Sequence, residues 1–146
     1  MSIVSGRGPE FCVLTSAIWR ATFRRMPTLT ITDLPYSNNL RVAEIVRSGI
    51  PARALVAFAE ALSLSLVDVA QFVLIPRRTL ERRMASNALL RPDESERVVR
   101  LGRIFAKAKD VFEDQDEAAQ WLNEPLDSFG GQTPLQLGST EPGARE

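Results

Sequence analysis

The chain has 146 residues, 45% hydrophobic and 25% charged; a domain of this length buries roughly 68–70% of its unfolded surface, enough for a core without disulfide or metal staples. One cysteine (Cys12) and no histidine exclude an intrachain disulfide framework and the usual catalytic triads and zinc sites, and fit a reducing compartment. The net charge of zero divides into +2 over residues 1–40, +5 over 41–110 and −7 over 111–146, so a basic middle and an acidic end predict two different partners.

Residues 1–37 show no sustained period, include Pro27 and Pro35, and read as a loosely ordered arm. Met26 is an alternative start. The apolar run Phe11–Ile18 is too short to span a bilayer, and its arginines follow it, the wrong order for a secretory signal. A cytoplasmic location with no membrane role is expected. From Asn39 the pattern is helical: "NNLRVAEIVRSG" has an Asn cap, apolar Leu40, Val42, Ile45 and Val46, and Gly49 as a stop. "IPARALVAFAEALS" follows, with Ala54, Leu55, Phe58 and Leu62 on one stripe.

"SLVDVAQFV" opens with Ser65 three residues before Asp68, a capping-box variant, and turns Val69, Phe72 and Val73 inward. Pro76 begins "PRRTLERRMAS", where fixed φ suits a first turn. "RPDESERVVRLGRIFAKAKDVFED" predicts the longest helix, with Val98, Leu101, Phe105, Ala108 and Phe112 as its core stripe. "DEAAQWL" predicts a short helix ended by Pro125, and a further helical turn opens at Thr133-Pro134. No convincing β alternation occurs, so the fold class is all-α: an arm (1–37), a helix-turn-helix domain (38–90) and a small helical C-terminal domain (91–146).

Two short helices, Ser65–Val73 and Pro76–Ser86, joined by a tight turn form a helix-turn-helix pattern. Leu80 and Met84 supply the packing face of the second. Arg77, Arg78 and Thr79 at its N-terminal end are the base-edge candidates, and Arg82 and Arg83 the phosphate candidates. The alternative is a surface helix with solvated arginines. The turn position that commonly holds glycine holds Leu74, which at positive φ costs on the order of 1 kcal/mol or more.

From Val42 to Glu146 the chain resembles the Xre/ParS-type antitoxins that pair with RES-domain toxins. The most specific block is "AAQWLNEPLDSFGGQTPLQLGSTEPGARE", with Trp121-Leu122, Pro125, Phe129-Gly130-Gly131, Thr133-Pro134 and Leu135. The resemblance implies a protein that binds an NAD-consuming toxin through its C-terminal domain, blocks the toxin's active-site cleft and represses its own operon. It places toxin contact on Trp121, Phe129, Gly130, Gly131, Thr133, Pro134, Leu135 and Arg145. The pattern departs at Arg91-Pro92, where such antitoxins carry Ser-Pro. It also ends at Glu146 where they usually run on; if that further stretch enters the toxin cleft, neutralisation is expected to be weaker here or to depend on Arg145 and its neighbours.

The residues' own chemistry supports this and leaves alternatives. Gly130-Gly131 permits a sharp turn or close approach of a partner, or is a plain loop. Trp121 is an interface anchor or packs on the long helix. The acidic run Glu113–Glu117 complements a basic toxin mouth or is a solvated helix start. An enzyme is disfavoured: no phosphate-binding GxxxxGK[ST] loop occurs, and no metal or cofactor site is expected. The competing function is a stand-alone helix-turn-helix regulator with an interaction tail. Operator recognition through two half-sites implies a homodimer in either case.

Overall fold

The computed structural model describes residues 30–145. The readings made for residues 1–29, Cys12 and Met26 among them, lie outside the described residues. Within the described residues the chain is all-α, with seven α-helices, three short 3-10 turns, and two isolated β-bridges in place of any strand. No single described helix is long and apolar enough to cross a membrane.

Helix α1 (Asn39–Ser48) begins where the Asn38 side chain accepts a hydrogen bond from the Arg41 N–H at 3.1 Å. It stops at Gly49, whose φ of +84° a side chain would strain. Val42 and Ile45 are buried. Leu40, expected beside them, is instead 86% exposed. It sits two residues before Val42, about 200° around the helix, and one face cannot bury both.

Helices α2 (Ala54–Ala61), α3 (Leu66–Phe72) and α4 (Arg77–Ala85) follow, with the expected capping box at Ser65 and Asp68 in place. All three end in the same way. Ser63, Leu74 and Asn87 take φ of +54°, +56° and +52°, and each donates its N–H to the carbonyl three residues back. The next N–H reaches the carbonyl five back, as in Ile75 N to Ala70 O at 2.9 Å. The turn between α3 and α4 therefore has the positive φ that the pattern required, with leucine holding it. An antiparallel bridge, Pro51 to Leu89, ties the approach to α2 to the exit from α4.

Helix α5 (Pro92–Phe112) is the spine. Val98, Leu101 and Phe105 are buried, and the Phe105 ring meets Phe58 edge-on at 6.5 Å and 77°. Residues 31–36, assigned to the loose arm by sequence, are packed on this helix: Ile31 and Leu34 are buried, and the Tyr36 hydroxyl donates to the Ile31 carbonyl. The fit depends on Gly102, because a Cβ there would lie 1.9 Å from the Tyr36 hydroxyl oxygen. An apolar residue and a tyrosine short enough in sequence to share one glycine notch outweigh the local lack of periodicity.

Glu113 closes α5 at φ +57°, and Asp114 caps α6 (Gln115–Asn123) by accepting from the Asp116 and Glu117 N–H groups at 2.8 and 2.9 Å. The acidic run is thus a helix–helix junction, with its carboxylates at the positive end of a helix dipole. Asn123 Nδ2 donates to the Leu62 carbonyl at 2.8 Å, locking the end of α6 to the end of α2. A loop over residues 126–132 leads into α7 (Pro134–Gly138), capped by Thr133 and Gln136 in a reciprocal box.

Candidate functional site

Helix α4 presents its basic face as the sequence suggested, with one exception. Arg77, Arg78 and Arg82 are exposed and Thr79 is half-buried at the N-terminal end. Arg77 Nε donates to Glu81 Oε1 at 2.7 Å along the helix surface. Arg78 and Arg82 form no ion pair among the described residues, so both guanidinium groups are available to an anion. Arg83 differs. Its Nη1 donates to Glu94 Oε2, with the two side chains 16% and 6% exposed. Assigned to phosphate by sequence, it is instead a strut between α4 and the first turn of α5. Its direction on the helix, one position past Arg82, decides this; residue type does not.

The turn before α4 is braced by α5. Arg97 Nη1 donates to the Val73 carbonyl at 3.3 Å and to Asp93 Oδ2 at 3.4 Å. Loss of hydration pushes the Asp93 carboxyl up, but hydrogen bonding from Arg91 and the charges of Arg91 and Arg97 outweigh it and hold the group below the usual carboxylate range.

A second feature lies on another side of α5. An open groove of about 1260 Å³ runs between α1, α5, α6 and α7. Trp121, Phe129, Pro134 and Arg145, four of the eight residues expected to meet a partner, line it. Trp121 is half-buried, its ring 5.8 Å from Phe112, so it packs on the long helix and lines the groove as well. Gly130 and Gly131 stand clear of it at φ +64° and +80°, exposed, in a loop closed by the Gly131 N–H to Leu126 carbonyl bond at 3.0 Å. A Cβ at either would meet nothing within 4 Å, so backbone conformation alone demands glycine there. Thr133 serves as the cap of α7. Leu135 is fully buried and belongs to the core rather than to a contact surface, because α7 must anchor one face to α5 and α6.

Residues 41–103 match the family described as the antitoxin Xre-like helix-turn-helix domain, and residues 107–146 match the antitoxin Xre/MbcA/ParS C-terminal toxin-binding domain. An Antitoxin Xre of Pseudomonas putida is 32% identical over 117 residues, covering 80% of this chain and 72% of that protein. The chain belongs to the Xre antitoxin family. A second Antitoxin Xre, from Yersinia enterocolitica, is 28% identical over 139 residues, covering 94% of this chain and 87% of its own. A Sphingobium protein named Prs ADP-ribosylating antitoxin is 26% identical over 108 residues, 68% of each chain. In this Xre antitoxin the two matched ranges meet inside α5, which therefore belongs structurally to both halves.

Sequence reasoning missed the groove's other wall. Val42, Val46 and Arg47 from α1, and Arg103, Lys107 and Val111 from α5, line it as well. The signal was present: Ile104 and Val111, seven residues apart on one face of α5, lie beside its core stripe, more than one buried face requires.

Proposed function

We propose that this Xre antitoxin neutralises a cognate RES-domain, NAD-consuming toxin by seating the block from Trp121 to Arg145 against the toxin's active-site cleft. It works by binding alone, without catalysis, metal or cofactor, as a homodimer in the cytoplasm. Through α4 it also binds the promoter of its own operon, Arg77, Arg78 and Thr79 meeting base edges and Arg82 a phosphate.

The observation that carries the reading is the gathering of Trp121, Phe129, Pro134 and Arg145 along one groove within the segment matched to the toxin-binding family. Exposed Gly130 and Gly131 offer backbone that a partner approaches closely. The net −7 of residues 111–146 complements a toxin mouth built to hold a phosphate-bearing dinucleotide. The name of the Sphingobium relative, which joins an antitoxin to ADP-ribosylation, supports a partner that uses NAD.

The test is growth and cellular NAD with the neighbouring open reading frame expressed alone and together with this chain. Rescue of both, lost on deleting residues 129–146, supports the reading; no rescue by the intact chain overturns it. The second reading, a stand-alone regulator, is favoured by the exposed guanidinium groups of Arg78 and Arg82. It requires promoter binding in the absence of toxin, with a salt slope of about −0.9 per neutralised phosphate.

A further inference from the structure

The groove is half built from the part of the chain matched to the DNA-binding family. Its lining from Val42 to Arg103 falls within residues 41–103 and that from Lys107 onward within the toxin-binding match, with Asn39 and Ile104 outside both. Its floor is apolar, and one of the most exposed large hydrophobic residues described, Val111 at 77%, lines it.

The charges around this floor are of one sign once internal pairs are discounted. Glu96 is bound to Arg100 at 3.3 Å, and Glu141 to Arg145. Arg47, Arg103 and Lys107 have no carboxylate within ion-pair distance among the described residues, which leaves three positive charges along the α1–α5 wall. Arg103 Nη2 donates to Asn39 Oδ1 at 2.8 Å while its Nε is buried without an acceptor, so this guanidinium is only partly satisfied.

The groove walls also restrict the form of the occupant. They are mostly α-helices whose main-chain groups are already bonded internally, with the loop residue Phe129 and residues 141–145 closing one end, and no sheet edge is present among the described residues. An extended strand laid here would find no backbone partners and would leave its own N–H and C=O groups unmet. A helix satisfies its own backbone and needs from the groove only an apolar floor and side-chain partners. The lining of α5 from Glu96 to Val111 is roughly 22 Å long at 1.5 Å per residue, room for about four turns.

We propose that the groove receives an amphipathic helix of the toxin, apolar on one face and acidic on its flanks, held by Arg47, Arg103 and Lys107. Toxin docking then extends beyond the C-terminal block onto α1 and the DNA-binding half of α5. The inference rests on the proposed antitoxin function.

The test is affinity between the purified full-length chain and the neighbouring gene's product, for wild type, Arg47→Glu/Lys107→Glu and Trp121→Ala. Arg47 and Lys107 are on the groove rim, and the melting temperature of each variant checks its fold. The expected result is a loss of roughly 10–100-fold for the charge-reversed pair, steeper at low salt, because like charges then face the docked helix. Unchanged affinity for that pair, with a loss for Trp121→Ala, overturns the inference and leaves the C-terminal reading standing. No binding by wild type overturns both. If the charge reversal instead alters only the oligomeric state of the free chain, the occupant is a second copy and the inference fails.

Discussion

Leu74 carries the clearest local conflict in the molecule. It holds φ at +56° with its side chain 70% exposed, so it bears the left-handed penalty while gaining little burial. Leu74→Gly should therefore stabilise the free protein by about 1 kcal/mol, read as a rise in Tm of roughly 3–5 °C. A fall in Tm would mean that the leucine's packing outweighs its strain. Tyr36 illustrates a different cost. Burial pushes its phenol above the ordinary value of 10.0, against the opposing pull of Arg103. A raised folded-state value means that the contribution is fully present below pH 10 and is lost as pH climbs beyond it. Tyr36→Phe should lose about 1 kcal/mol at pH 7 through the hydrogen bond to Ile31, yet unfold less steeply above pH 10 than wild type; denaturant titrations at pH 7 and pH 10.5 check both. On α4, Arg78→Ala should cost about 1–3 kcal/mol of operator affinity and relax one base preference if Arg78 reads guanine. An equal loss on every sequence would make it a phosphate contact.

Between elements, the Arg83–Glu94 pair is the joint that sets the recognition helix against the spine. Glu94 is 5% exposed and also accepts the Arg91 N–H at 2.8 Å, so removing the arginine strands a buried carboxylate. Arg83→Ala should cost about 3–5 kcal/mol, and adding Glu94→Leu should recover part of it rather than double the loss. Additive losses in a double-mutant cycle would show the two residues to be uncoupled. The same joint shows what the sequence discloses. Caps at Asn38, Ser65 and Thr133 were legible because donor and acceptor lie within three residues of each other. The helix ends at Ser63 and Asn87 were not signalled by glycine, since hydrogen bonds to the preceding turn hold other residues at positive φ. Arg83, Leu40 and Leu135 were misplaced for one reason: the direction each faces is set by which helix packs against it, and that is tertiary information. The docking of Ile31 into the Gly102 notch, distant in sequence, was equally invisible.

The whole molecule is arranged about α5. Glu94, which meets α4, and Arg103, which lines the groove, are nine residues apart, or about 180° around the helix axis. The Glu94 joint to α4 and the Arg103 wall of the groove therefore face away from each other. In the sequence, the family block located the C-terminal half of the groove. It could not reveal the α1 wall, because that wall exists only once α1 lies along α5. If α4 holds the promoter and the groove the toxin, as proposed, the antitoxin holds both at once. The direct measurement is a mobility shift on the promoter upstream of the operon, with the full-length chain and increasing amounts of toxin. A slower, ternary band at undiminished DNA occupancy is expected. Release of the DNA as the toxin is added, with no ternary band at any ratio, would contradict it.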